Sequence, residues 1–288
     1  MDTVTHTLFG MTLYGAIDKK NESKEMKKSL IVATMVGSQI PDIDVISRLW
    51  DTEGLYQMWH RGITHSILMV PIWAFILTAL CTLIFKVKDY KRLFFISGIA
   101  VFIHSTSDLF NAWGTGYFEP LSDIRVTFGV IPIVDVVFWV IMLTAMIFTR
   151  FKKKNSYKSF RFAWVLIALH ISIQSLQGYF LYQQYEGKYD QLALSASFVP
   201  WNYTLIGKKA DVVEITDDAL FLDADHLYTL HSKENTILDD LFIQNPDART
   251  LYKWSPFVVI VDDEEKVGIY DPRFYMDGES FLFEYVEK

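Results

Sequence analysis

The chain has 288 residues, 51% of them apolar and gathered in blocks, which excludes an ordinary soluble domain and indicates a membrane protein. Its one cysteine, Cys81, excludes an intramolecular disulfide and a cysteine-based zinc site. The net charge of −7 averages two unlike parts. Residues 1–185 carry 18 Lys and Arg against 13 Asp and Glu, and residues 186–288 carry 9 against 21, so an acidic tail follows a basic region and nucleic acid is excluded as a partner.

Met1 to Ile17 lacks the positive n-region and cleavage site of a signal peptide. Thr3 or Thr5 is expected to cap a short helix, with Asp2 and His6 four residues apart on one face. A basic stretch, Asp18 to Lys28, precedes an apolar one, Ser29 to Ile40, and Pro41 is expected to end that helix with Asp42 and Asp44 just beyond it. Both helices are short against the roughly 20 residues that a bilayer asks for. Ser66 to Phe85 is uncharged throughout and reads as a transmembrane helix. The basic turn 86–92 leads to a return span, Leu93 to Leu109, which carries His104 and Asp108. After a loop rich in turn residues come the span Val130 to Thr149, the basic turn Arg150 to Arg161, and the span Phe162 to Tyr182, with His170 inside it. From about Glu186 the texture becomes β-like, with alternating stretches such as Ala210 to Ile215 and Phe257 to Val261 broken by turn residues. The expected architecture is mainly α: a multi-pass transmembrane helical bundle over residues 1–185, and a small, acidic, β-rich, water-soluble domain over residues 186–288.

The chemistry concentrates around Trp59-His60-Arg61-Gly62-Ile63-Thr64-His65-Ser66. The positive-inside rule places the three basic turns on the cytoplasmic side, so the helix ends bearing Asp2, His6, Asp42, Asp44, His60, His65, His104, Asp108 and Asp135 gather on the opposite face, with the acidic domain. Ionisable groups at membrane depth cost several kcal/mol each unless paired, metal-bound or facing water. His104 and Asp108, at i and i+4, share a helix face. A divalent cation would offset the cost: mixed imidazole and carboxylate sets suit Zn²⁺, and carboxylate-rich ones admit Mn²⁺ or Mg²⁺. The ligand surplus allows two ions sharing a bridging carboxylate, with Asp42 or Asp44 as the bridge. Such a centre lowers the pKa of water and clamps an oxyanion, which is hydrolytic chemistry. Arg61 carries a fork suited to a phosphate or carboxylate, and Thr64 or Ser66 is either a donor to substrate or a helix cap.

Thr-His near the start, Pro-Asp-Ile-Asp at 41–44, His-Arg-Gly-Ile-Thr-His-Ser at 60–66, and His-x-x-x-Asp at 104–108 followed by Asn-Ala-Trp-Gly-Thr together resemble the membrane-bound metal-dependent hydrolases of the YdjM/YbcI type, including their YfhP-like Gram-positive members. The resemblance covers roughly residues 1–150. It implies a metal site of His6, Asp42, Asp44, His60, His65, His104 and Asp108, and a multi-pass helical fold distantly like zinc-dependent phospholipase C. The chain departs from the pattern at Asp135-Val136, where the family often has Asp-Pro, and at Ser107-Asp108, where it often has Leu-Asp.

The leading expectation is therefore an integral-membrane hydrolase with one or two divalent ions, zinc first and manganese second, acting on an ester. A phosphoester of a lipid or lipid-linked molecule at the outer membrane surface fits best, with Arg61 and Asp44 in catalytic roles. The alternative is a membrane scaffold or regulator with a structural metal and a protein partner for the acidic domain. A transporter needs polar residues along a path across the bilayer, whereas these gather toward one side. Asp135 is expected to support a ligating histidine, and His170 to be an interhelical histidine.

Overall fold

The computed structural model describes residues 1–151, 156–219 and 223–288; Lys152 to Asn155, within the last basic turn, lie outside the described residues. The fold is mainly helical. In chain order come α1 (Thr3–Ala16), α2 (Lys24–Gly37), a 3-10 segment Ile40–Leu49, α3 (Tyr56–Trp59), a 3-10 turn Ile63–His65, α4 (Met69–Phe85), α5 (Tyr90–Ser107), a 3-10 turn Asp108–Phe110, α6 (Val136–Phe151) and α7 (Ser156–Glu186). Sheet follows: β1 (Gln191–Ala196), β2 (Tyr203–Lys209), β3 (Val212–Asp218) and β4 (Asp225–His231). Then come α8 (Asp239–Gln244), α9 (Pro246–Trp254), β5 (Val259–Asp262), β6 (Lys266–Tyr270), β7 (Tyr275–Met276), β8 (Glu279–Ser280) and β9 (Phe283–Glu287).

The chain divides into two compact units. One comprises Met1–Asp44 with Arg61–Ile173, the other Val45–His60 with Gln174–Lys288. The sequence suggests a boundary at 185/186; the compact units instead divide α7 after Ile173 and group residues 45–60 with the C-terminal ones.

Among the described residues, two helical stretches are long and apolar enough to cross a membrane, Tyr90–Phe110 and Ser156–Glu186, and up to four if two bent helix pairs each count as one. The expected boundaries shift for local reasons. Asp2 caps α1, accepting from the amides of Val4 and Thr5 at 2.9 and 3.0 Å, so neither threonine does. α2 stops at Gly37, ahead of Pro41, which lies within the 3-10 segment. α4 begins at Met69 because the Ser66 amide donates to the Ile63 carbonyl (3.0 Å) and the Ile67 amide to that of Tyr117 (3.0 Å). The expected span from Val130 starts late: Val130 and Ile131 both donate to the Phe110 carbonyl at 2.8 Å, and Asp135 Oδ1 takes the Phe138 amide at 2.8 Å to open α6 at Val136. Over the described residues α6 has 16, against the roughly 20 a bilayer requires.

In the helical unit, small residues let helices approach closely, which replaces the hydrophobic driving force that lipid removes. A Cβ on Gly10 of α1 would meet Ser38 Oγ at 2.5 Å and the Thr34 carbonyl at 2.9 Å, and one on Gly37 would meet Ala100 Cβ of α5 at 2.8 Å. These contacts bring the end of α2 against α1 and α5. At the other end of the same helices Leu30, Ala33, Cys81 and Leu93 form a buried apolar cluster with Ile17, Met26 and Val87.

The other unit holds an antiparallel sheet in the order β1-β2-β3-β4, a three-stranded sheet β5-β6-β9 and the β7-β8 hairpin. Register follows the alternation: Ile206 pairs with Ile215 and Lys208 with Val213 across β2 and β3. Ile206, Val213, Ile215 and Leu230 pack with Phe257, Val259 and Tyr270 into one core. In the segment 45–60, Gly54 has φ +67° and comes so near Asp247 that a Cβ would lie 2.7 Å from its carboxylate; only glycine meets both conditions.

Candidate metal centre

Four side chains from three parts of the helical unit converge: Asp42 from the 3-10 segment, His65 from the turn before α4, His104 from α5 and Asp108 at the end of α5. One ligand atom from each lies within 4.8 Å of all the others. His65 Nε2 is 3.1 Å from His104 Nε2, 3.3 Å from Asp42 Oδ1 and 3.6 Å from Asp108 Oδ2. His104 Nε2 lies 3.5 Å from Asp42 Oδ1 and 4.0 Å from Asp108 Oδ2.

The outward nitrogens fix the tautomers. His104 Nδ1 faces the Ser38 carbonyl at 2.8 Å, which can only accept, so Nδ1 carries the proton. His65 Nδ1 lies 3.2 Å from Asp44 Oδ2 and 3.1 Å from Thr64 Oγ1. Thr64 spends its hydroxyl proton on Asp44 (2.8 Å), so His65 Nδ1 is the donor as well. Both Nε2 lone pairs then point at one another and at two carboxylates. That arrangement asks for positive charge between them. With metal–nitrogen bonds near 2.0–2.1 Å the edge of a coordination tetrahedron is about 3.3 Å, close to the separations here, so the donor set fits a divalent cation better than a single shared proton. An outward N–H held by a carboxylate or carbonyl is also the usual support of a ligating histidine.

Other residues occupy the surroundings. Asp44 sits on the Nδ1 side of His65 and also accepts the Arg61 amide at 2.8 Å, so it lies outside the four-residue group and orients one member of it. His6 stacks on His104, ring centroids 3.7 Å apart, with Nε2 at 3.4 Å from Asp108 Oδ1. Both His6 nitrogens are buried without a hydrogen bond among the described residues, which leaves it able to serve as a further ligand. Arg61, at φ +56°, buries its guanidinium: Nε faces Asp108 Oδ2 at 3.3 Å, Nη1 donates to Asn111 Oδ1 (3.0 Å) and Nη2 to the Met1 carbonyl (3.2 Å). The Met1 amino group contacts Asp108 Oδ1. His60 stacks on Tyr56 at 5.5 Å and is outside the group.

Thr64 and Ser66 both donate within the protein, Thr64 to Asp44 and Ser66 Oγ to the Glu119 carbonyl at 2.5 Å, while Ser66 Oγ also accepts the Leu68 amide at 3.2 Å in the turn that leads into α4. Asp135 pairs with His170 at 3.0 Å rather than with His65 or His104, and this buried pair joins α7 to the start of α6. Sequence reasoning missed the Ser38 carbonyl and Asn111. A backbone acceptor leaves no side-chain signal; Asn111 stood in the Asn-Ala-Trp-Gly-Thr motif without a role.

A family model described as "YdjM inner membrane protein" matches residues 1–181. A Bacillus subtilis (strain 168) protein described as "Uncharacterized protein YfhP" is 35% identical over 149 residues, 51% of this chain and 45% of that protein. The chain thus spans less than half the length of that relative. No solved structure matches.

Proposed function

The chain belongs to the YdjM inner membrane protein family, and from that premise and the cluster we propose an integral-membrane, metal-dependent hydrolase of an ester, a phosphoester of a lipid or lipid-linked molecule, within a multi-pass helical bundle. Convergence of two imidazole lone pairs with two carboxylates inside the helical unit carries the reading. A divalent ion there, zinc or manganese, supplies Lewis acidity and brings the pKa of water toward neutrality. Asp42, His65, His104 and Asp108 hold it, and His6 stands ready to add to the set. Asp44 and the Ser38 carbonyl orient the two imidazoles. Arg61, bonded to Asn111, positions Asp108 rather than gripping substrate. The Asp42 side chain is 24% exposed while His65, His104 and Asp108 are sealed, so Asp42 marks where water and substrate reach the centre.

The site residues sit at the opposite helix ends from the basic turns 18–28 and 86–92, which supports a centre on the non-cytoplasmic face. Detergent-purified protein loaded with zinc or manganese should turn over phosphatidylglycerol in vesicles or bis(p-nitrophenyl) phosphate, and His65→Ala should abolish it. Absence of turnover in the wild type on both substrates refutes the hydrolase reading. One observation favours a second reading, a scaffold with a structural ion and a partner for the acidic domain: four protein donors suffice to close a tetrahedron, whereas catalytic zinc keeps a position open. Metal that remains bound without any turnover would decide for it.

A further inference from the structure

The loop between α5 and α6 has an inner face bonded to the centre's scaffold and an outer face of exposed apolar side chains among the described residues. Inward, the Gly116 amide donates to the Arg61 carbonyl at 2.7 Å, the Tyr117 carbonyl accepts from Ile67, and the Glu119 carbonyl accepts from Ser66, the residue after His65. Tyr117 Oη meets Thr106 Oγ1 of α5 at 3.1 Å. The loop is braced internally by the paired Thr115 and Val126 backbones and by the amides of Leu121 and Ser122 on the Phe118 carbonyl. Its backbone is therefore held. Its apolar side chains stay exposed: Phe118, edge-on to Tyr117 with ring centroids 5.4 Å apart, is 48% exposed, Leu121 79% and Ile124 69%. Three large apolar groups on a fixed loop, turned away from their own fold, lose burial free energy unless something apolar covers them.

We propose that Phe118, Leu121 and Ile124 insert into the lipid leaflet next to the metal centre, and that this loop holds the surface of the bilayer, and with it a phospholipid headgroup, level with Asp42, His65, His104 and Asp108. The choice of occupant follows from chain position. The loop joins α5, a candidate membrane span, to the apolar helix α6, so its place is at a bilayer surface. A segment whose backbone is only partly paired cannot enter the hydrocarbon, but side chains reaching about 5–10 Å below the headgroups are what an interfacial anchor requires. Glu119, Asp123 and Arg125 alternate with the apolar residues, and Arg125 Nη2 is held by the Gly114 carbonyl at 3.1 Å; with the apolar groups inserted, these charges would lie at headgroup level. Because the same loop bonds to residues 61, 66 and 67, its depth sets the depth of the centre.

The insertion is tested without any activity. In a Cys81→Ser background, Leu121→Cys carrying an NBD fluorophore is reconstituted in phosphatidylglycerol/phosphatidylethanolamine vesicles containing doxyl-labelled lipid. Strong quenching by shallow doxyl groups is expected; emission and quenching equal to those of a water-exposed control site overturn the proposal. The link to chemistry rests on the hydrolase reading and is tested separately. In Leu121→Ser/Ile124→Ser, the ratio of vesicle phosphatidylglycerol turnover to bis(p-nitrophenyl) phosphate turnover should fall about ten-fold, since the anchor's burial energy is lost. An unchanged ratio overturns the headgroup-presenting role. Absence of turnover in the wild type would sink the hydrolase reading, while the quenching still decides insertion.

Discussion

The two units treat buried charge in opposite ways. In the C-terminal unit Arg273 grips Asp271 with two nitrogens, Nη2 to Oδ2 at 2.6 Å and Nε to Oδ1 at 3.0 Å, under the face of Trp254 4.9 Å away; donors meet acceptors and the pair closes on itself. In the helical unit two imidazole lone pairs and two carboxylates face one another, and the outer hydrogen bonds of Asp44 and Ser38 hold them so. Burial alone does not separate a structural charge from a functional one. What marks a candidate site is a surplus of acceptors over the cations beside them, here two carboxylates and two imidazole lone pairs against Arg61 and the Met1 amino group, both of which face Asp108.

The comparison can be broken at either side. The largest effect is expected from His104→Ala or Asp108→Ala, each of which should remove bound metal altogether while Asp271 and Arg273 keep their unit folded; retention of metal in both would erase the distinction. Next, Arg273→Ala leaves Asp271 as an uncompensated buried carboxylate and should cost about 3–5 kcal/mol in thermal or denaturant unfolding, without altering metal content. Asp44→Asn should weaken metal affinity about 10–100-fold, as loss of the support behind a ligating histidine does, measured by competition with a chelator. An unchanged affinity would mean that Asp44 does not orient His65.

The smallest effect concerns Glu284, whose carboxyl is raised above its ordinary value by burial, against the Asn245 amide that donates to it at 3.0 Å. A carboxyl with a raised folded pKa adds stability below its unfolded value and loses it as pH rises through the folded one. Glu284→Gln should therefore raise the unfolding temperature modestly at pH 7 and not at pH 4. A gain that persists at pH 4 would put its origin elsewhere.

Much of this site was legible in the chain. His104 and Asp108 lie one helical turn apart, and Asp42, His65 and His104 fall near helix ends remote from the basic turns 18–28 and 86–92. The separation of Asp42 from Asp44 was not legible, because it depends on a 3-10 backbone: about 120° per residue sends positions two apart in different directions, so Asp42 faces the Nε2 side of His65 and Asp44 the Nδ1 side. Nor was the fate of Arg61. Its left-handed backbone turns the guanidinium toward Asp108 and Asn111, and no spacing rule announces that. His60, five residues from His65, looked like its partner but stacks on Tyr56 in the segment grouped with the C-terminal unit. The β-rich tail was visible from its alternation; the recruitment of residues 45–60 depends on the close approach at Gly54, which the sequence marks only as a glycine.

Elemental analysis of detergent-purified wild-type protein beside His104→Ala tests the central claim most directly. Near-stoichiometric zinc or manganese in the wild type and its loss in the variant is the predicted result. A folded wild type that takes up no divalent metal, or a variant that retains it, would contradict the account.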